Sequence, residues 1–321
     1  MEMFANSHWL GGQLVNHHPS LTKTKAVETR TVKGFLIDLK YLVKGKVLFA
    51  NVLPVFVGFW LALRYNGLSF VNYWLSFITV LIGSTFVIAG ALMLNNWYEA
   101  DIDKKMERTQ KRPTVNGHFS LDFVLRLGLI TTIIGFLIVS FTTWDAVFYS
   151  FLGWFLYVVP YTFWTKRRYA WNTLIGAASG AVTPLIGWAV ISTVLDVVPI
   201  TLAIILFIWQ IPHTLSITIR RYDDYKRAGV PMLPVVKGFQ VTKRHFLFYV
   251  LALLPWPFVL YSTFGPVFTG IMTFINLYYA YLAIKGFSIS DHKKWADQTY
   301  FFSVRYLISF SCLLIVVGFF L

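Results

Sequence analysis

Long apolar runs, separated by short polar links, dominate the pattern along the chain. Nine runs reach or approach the roughly 20 residues that a bilayer-crossing helix needs. They lie at 46–65, 73–98, 121–142, 145–164, 172–193, 197–219, 245–262, 265–286 and 299–321. The alternating segments of about ten residues that mark a membrane-spanning β-barrel are absent. The links differ in kind. "RYNGLSF", "TTWD", "STVLD" and "YSTFG" are short, whereas the links after the second, fourth, sixth and eighth runs are longer and strongly charged. Upstream, "GFLIDLKYLVKGKV" (34–47) mixes lysine and apolar positions at helical spacing, which predicts an interfacial helix feeding the first span. The expectation is an all-α, polytopic membrane protein. Residues 1–45 would form a cytoplasmic N-terminal segment and 46–321 a single intramembrane domain of nine transmembrane helices.

Composition strengthens this picture. Hydrophobic residues make up 57% of the chain and charged residues only 13%, about half the charged share of an ordinary soluble domain. The first forty-odd residues show no apolar core followed by a small-residue cleavage site, so no secretory signal is expected. Of the 28 lysines and arginines, only Arg64 falls clearly in the short-link set. The positive-inside rule therefore puts the charged links and the N-terminus in the cytoplasm and the C-terminus outside. That places the chain as a multi-pass protein of the cytoplasmic (inner) membrane. Topology alone accounts for most of the net charge of +14, with no nucleic acid required. The single cysteine, Cys312, excludes an internal disulfide and reads as a structural thiol within the last span.

The acids carry more information. "EADIDKKMERTQKR" packs four acids and five bases into fourteen positions, 99–112, immediately after the second run. If the helix continues, Asn95, Glu99 and Asp103 recur every fourth residue and share a face, drifting about 40° per step. An amide and two carboxylates at a membrane edge suit a hard cation such as Mg²⁺, which takes oxygen ligands and commonly bridges carboxylates to substrate phosphates. Arg108, Lys111 and Arg112 follow, and arginine grips phosphate oxygens in a bidentate manner. Charge runs between spans are also ordinary solvated topology determinants, and spacing alone leaves both readings open. Asp145 and Asp196 fall in the other set of links and read as solvated or helix-capping residues.

A second acidic segment, "FIWQIPHTLSITIRRYDDYKRAGVPMLPVVKG" (207–238), follows the sixth run and faces the same side. A helix continuing past His213 would bring Arg220 and Asp224 to its face. Pro212 removes a backbone hydrogen bond, so a kink or break near His213 is expected. "TKRR" puts Lys166 and Arg167 on the same rim. The fifth run is rich in Gly, Ala, Ser and Thr, which predicts close helix packing, and Asn172 stands at its cytoplasmic end. Trp97, Tyr98, Trp209 and Tyr222 flank the acidic clusters, where aromatic faces would stabilise a cation.

Taken together, "NNWYEADIDKKMERTQKRP" and "WQIPH…DDYKRAGVPMLPVVKG" resemble the two cytoplasmic motifs of the UbiA-type intramembrane prenyltransferase superfamily, and in particular its haem-farnesylating, haem O-forming branch. The resemblance covers essentially all nine spans. It implies a nine-helix bundle around a cavity open to the cytoplasmic side. It also implies Mg²⁺ as cofactor, farnesyl diphosphate and haem B as substrates, surrounding membrane lipid, and a haem A synthase or oxidase-assembly partner for the product. In that frame Asn95, Glu99, Asp103 and Asp224 are the metal set, with Asp223 among the catalytic residues, completing the metal site with Asp224 or orienting Lys226. Arg108, Arg112, Lys166, Arg167 and Lys226 would bind the diphosphate, and His213 would lie on the haem side. The family usually has Asp where this chain has Glu99, which moves the carboxylate out by about 1.5 Å. The rival expectations are a relative acting on another aromatic or quinone precursor, and a membrane transporter. The latter would typically show inverted repeats and midplane sites, which this sequence does not display.

Overall fold

The computed structural model describes residues 31–321, so most of the predicted N-terminal segment, 1–30, lies outside the described residues. Within them the chain is helical throughout, with no strand. Seven helical segments are long and apolar enough to cross a membrane. Large apolar side chains such as Leu75, Ile133, Leu137 and Phe274 are exposed on the outer faces, while Asn95, Ser84, Asn276 and Thr299 are buried inside. That inversion is what a hydrocarbon solvent demands, since polar groups must find partners within the bundle.

The predicted interfacial helix is present as α1 (Val32–Leu42) but does not run on into the first span. Lys44 adopts the left-handed conformation, φ 48° and ψ 57°, and separates it from α2 (Gly45–Tyr65). The second span is α3 (Phe70–Tyr98), 29 residues long and thus about 43 Å. It exceeds a hydrocarbon core of roughly 30 Å. A short α4 (Ala100–Asp103) follows at once. Then come α5 (Leu121–Val139) and α6 (Trp144–Leu156), the latter continuing through a wide π-helical stretch, Tyr157–Trp164, that contains Pro160.

Two predicted spans are not single long helices. The run at 172–193 forms α7 (Asn172–Ala181) and α8 (Thr183–Trp188), divided where Pro184 cannot donate a backbone hydrogen bond. The Thr183 hydroxyl donates instead to the Gly180 carbonyl at 2.7 Å, the acceptor that Pro184 leaves without its helical partner. The run at 245–262 falls on the end of α11 (Leu233–Ala252) and on α12 (Trp256–Val259), broken around Pro255 and Pro257. Between these pairs lie α9 (Val197–Arg220) and α10 (Tyr222–Arg227). The chain closes with α13 (Tyr261–Lys285) and α14 (His292–Gly318). The predicted link "YSTFG" is a helical turn hinged at Gly265, whose φ of 75° only glycine adopts without strain.

The core is formed where α2, α8, α9, α11, α13 and α14 meet, around Phe59, Trp188, Trp209, Phe246, Tyr279 and Trp295. Small residues permit the closest approach, as expected for the fifth run. A Cβ placed on Gly187 would lie 1.9 Å from the Val55 carbonyl, and one on Gly58 2.0 Å from the Pro184 carbonyl. Of the kink or break expected at Pro212, no break occurs: α9 runs through it as one helix. Cys312 lies in α14 but is exposed on its outer face rather than sealed in the bundle.

Candidate active site

The end of α3 assembles the first acidic group. Glu99 leaves helical geometry (φ −93°, ψ 6°) and the chain resumes as α4. Two backbone bonds, Glu99 N to Asn95 O at 3.0 Å and Asp103 N to Glu99 O at 2.8 Å, carry the fourfold spacing across the break. The column predicted from sequence is therefore kept. Asn95, Glu99 and Asp103 are 0%, 2% and 1% exposed.

Burying two carboxylates needs compensation, and bases from three separate parts of the chain supply it. Lys166 Nζ donates to Glu99 Oε1 at 2.5 Å. Arg112 pairs with Asp103. Lys44 reaches in from the α1–α2 break and donates to Asn95 Oδ1. The Asn95 amide then donates to Glu99 Oε1 at 2.7 Å and to Thr162 Oγ1 at 3.0 Å. Burial pushes the Glu99 carboxyl up, but Lys166 and Lys44 outweigh it and hold the group down at about 2. Burial, reinforced by Arg112, drives the Lys44 ammonium well below its usual range.

Lys166 and Thr162 arrive through the π-helical stretch around Pro160, a geometry that recurs at functional sites. After it the chain tightens into a 3₁₀ turn, Thr165–Arg167, that holds Lys166 buried. The Tyr161 ring lies 5.4 Å from its ammonium.

The second acidic segment meets the first. Arg221 breaks α9 from α10 (φ −116°, ψ 28°), so His213, Arg220 and Asp224 do not share one continuous face. Instead Arg220 pairs with Asp297 of α14 and lies over the Tyr300 ring at 4.2 Å. Asp224, 5% exposed, accepts the Glu107 backbone N–H at 3.0 Å and Arg227 at 2.7 Å. Burial raises its pKa, yet Arg227 and the Glu107 amide together hold the carboxyl below the usual range. An apolar cluster of Ile102, Met106, Tyr225, Ala228, Val230 and Met232 fixes the two segments together. Arg108 sits at this junction and donates to the Tyr225 hydroxyl at 3.3 Å.

Other predicted residues lie outside the buried group. Arg167 clamps the exposed Asp101 through two bonds, at 2.8 and 2.6 Å, and also holds the Tyr98 carbonyl. Asp223 and Lys226 are exposed, with the Lys226 ammonium 5.7 Å from the Tyr222 ring. Asn172 is buried but donates to its own turn, at Tyr169 O. Trp97 and Tyr98 pack against Phe163. His213 stands apart, on α9, lining a cavity of about 630 Å³ between α2, α9 and α14. A chamber of about 90 Å³, lined by Ala91, Leu92 and Tyr157 just below Asn95, shares Asn51, Thr183 and Gln210 with that cavity.

Sequence reasoning missed Lys44, Thr162, Tyr157 and Tyr161. The available signals were "KGK" at the head of the first span and a proline between two tyrosines, "YVVPY", inside the fourth.

Among the described residues no three His, Cys, Asp or Glu side chains gather as a metal cluster. The donor chemistry nonetheless fits a Mg²⁺ bound together with a diphosphate. Such an ion takes only one or two protein carboxylates and fills its other positions with water and phosphate oxygens. Here two sealed carboxylates and an amide oxygen stand in one column, balanced by cations that a diphosphate would itself attract.

Comparison with known proteins places this architecture. The chain matches the model of the UbiA prenyltransferase family over residues 51–306. It is 47% identical to a protoheme IX farnesyltransferase of Oceanobacillus iheyensis, covering 92% of this chain and 94% of that one. It is 46% identical to a protoheme IX farnesyltransferase of Bacillus mycoides, covering 89% and 93%. Among solved structures, a UbiA homolog from Archaeoglobus fulgidus bound to DMAPP and Mg²⁺ superposes with a TM-score of 0.67 at 13% identity, over 88% of this chain and 98% of that one. The fold and the family match agree, and the chain belongs to the UbiA prenyltransferase family.

Proposed function

We propose that this enzyme transfers the farnesyl group of farnesyl diphosphate to a vinyl group of haem B, with addition of water, to give haem O. The observation that carries the reading is the buried Asn95–Glu99–Asp103 column with Lys44, Lys166 and Arg112 tied to it. Mg²⁺ would be held by Asn95, Glu99 and Asp103, with Asp224 beside them, and when bound it neutralises diphosphate charge.

The chain's own part is electrostatic and steric. Lys44, Lys166 and Arg112 exchange their carboxylate and amide partners for phosphate oxygens, with Arg108 entering from the α10 side. Their charge stabilises the departing diphosphate as the farnesyl C1–O bond breaks, the principal lever in reactions of this kind. Tyr157, from the chamber wall, and Tyr161, beside Lys166, present ring faces to the allylic cation. The apolar chamber lined by Ala91 and Leu92 takes the start of the prenyl chain and keeps water from C1. The haem vinyl carbon attacks C1, forming the new C–C bond. Water then captures the cation left on the haem side and releases a proton, which leaves a hydroxyethylfarnesyl group.

The same reading assigns nine crossings, with α7–α8 and α11–α12 completing the two that are not single long helices. It keeps the N-terminus and both acidic segments cytoplasmic, residues 46–321 as the catalytic domain, and a haem A synthase or oxidase-assembly factor as the recipient of product. In this account Asp223, Lys226 and Arg167 act at the rim rather than on the diphosphate. Incubating the purified protein with Mg²⁺, farnesyl diphosphate and either haem B or a hydroxybenzoate tests the reading. The expected mass is haem B plus a farnesyl group and a hydroxyl; a prenylated benzoate in its place would overturn the choice of acceptor.

A further inference from the structure

The two nitrogens of His213 have different fates. Nδ1 lies 2.7 Å from Ser303 Oγ. The Ser303 hydroxyl has one hydrogen and donates it to the Tyr300 carbonyl at 2.7 Å, one turn back along α14. With that hydrogen on the Tyr300 carbonyl, Ser303 Oγ accepts from the imidazole and Nδ1 carries the proton. Trp209 Nε1 anchors the Ser303 carbonyl at 3.0 Å, tying α9 to α14 at this point.

A neutral ring protonated at Nδ1 presents an unprotonated lone pair at Nε2. Nε2 makes no hydrogen bond among the described residues, nor is it one of the sealed unpaired polar atoms. It opens into the 630 Å³ cavity that His213 lines. The ring plane is fixed as well, stacked between Trp209 at 5.0 Å and Tyr300 at 5.4 Å. A locked tautomer, a locked plane and an open lone pair are what a metal-ligating histidine requires.

The surrounding space specifies which metal compound would enter. Its volume lies within the roughly 300–1,000 Å³ of small-molecule sites. Its walls are apolar and aromatic, including Leu206, Trp209, Tyr300 and Leu307. Among the described residues, the only charged ones lining it are Lys40 and Lys46, both exposed. A flat apolar macrocycle with an electron-poor metal at its centre and carboxylates at one edge matches all three features.

We propose that His213 Nε2 is an axial ligand to the iron of the porphyrin substrate, which lies in this cavity with its propionates towards Lys40 and Lys46. The proposal rests on the haem-farnesylating reading and adds to it a haem site. Because the cavity adjoins the chamber below Asn95 through Asn51, Thr183 and Gln210, a ring held on His213 would keep an edge directed towards the farnesyl C1.

The test titrates purified wild type, His213→Phe and His213→Gly with haem B and with iron-free protoporphyrin IX. His213→Phe keeps a stacked ring without a ligating nitrogen. It is expected to lose the histidine-ligated haem absorption and to bind haem B at least about tenfold more weakly, with protoporphyrin affinity changed by less than about twofold. Added imidazole should restore the haem spectrum of His213→Gly. An unchanged haem spectrum in His213→Phe, equal weakening of both porphyrins, or no imidazole rescue would overturn the proposal. Haem O formation by the wild type, measured in parallel, separates the two readings. Normal turnover with an unchanged variant spectrum sinks the ligation alone, whereas no turnover with a lost spectrum sinks the farnesylation alone.

Discussion

Glu99 is a carboxylate kept charged while sealed from water, and its environment predicts how the protein responds to acid. Burial disfavours the charge, but Lys166 and Lys44 hold the pKa at about 2, against 4.5 for the free side chain. A depressed carboxyl contributes stability that is fully present above the unfolded value and lost as pH falls through the folded one. The window is therefore pH 4.5 down to about 2. Lys166→Gln should leave the charge under-compensated, costing about 3–5 kcal/mol at pH 7. Thermal unfolding in detergent would show a large deficit at pH 7 that shrinks near pH 4, where the raised carboxyl takes up its proton; a pH-independent deficit would contradict the pairing. Glu99→Asp should withdraw the carboxylate by about 1.5 Å from Lys166 and Asn95. It should raise the Mg²⁺ concentration needed for half-maximal haem O formation, and an unchanged Mg²⁺ titration would show that Glu99 does not reach the metal. The column itself was legible, because i+4 spacing survives the break at Glu99. Lys44 was not, since one more lysine before a span looks like a topology signal. Only its left-handed backbone turns it inward, a conformation that costs about 1–3 kcal/mol and carries no hydropathy signature.

At the scale of elements, seven of the nine predicted spans match helices long and apolar enough to cross a membrane, but the breaks within the other two were not readable from hydropathy. Pro184 and Pro212 look alike in sequence. Pro184 opens a new helix, with Thr183 satisfying the Gly180 carbonyl, whereas Pro212 is carried inside α9 without interrupting it. Tertiary packing decides between the two outcomes, and packing is invisible to a periodicity count. The small residues of the fifth run were read correctly as a packing surface, and α8 uses Gly187 to touch the backbone of α2. Gly187→Ala should therefore force α2 and α8 apart and cost about 1–3 kcal/mol. A lowered unfolding midpoint would show this, while an unchanged one would mean the contact relaxes freely. Asp224 links two elements rather than two side chains. Asp224→Ala should free the Glu107 amide and speed its hydrogen exchange, leaving exchange in the buried stretch of α9 unaltered.

For the molecule as a whole, two acidic segments distant in sequence meet at one apolar junction. Their charge and placement suggested two halves of a site. The docking surface, Ile102 and Met106 against Tyr225 and Met232, was not apparent because a few apolar residues scattered among many charges give no signal of which partner they meet. The π-helical stretch that delivers Thr162 and Lys166 likewise emerged only from the fold. The central claim is that the Asn95–Glu99–Asp103 column performs farnesyl transfer, and one comparison tests it directly. Haem O formation from farnesyl diphosphate, Mg²⁺ and haem B is measured for wild type and Asp103→Ala, both confirmed folded in membranes. The account predicts that the variant loses essentially all turnover while remaining folded. Near-normal haem O formation by Asp103→Ala would contradict it.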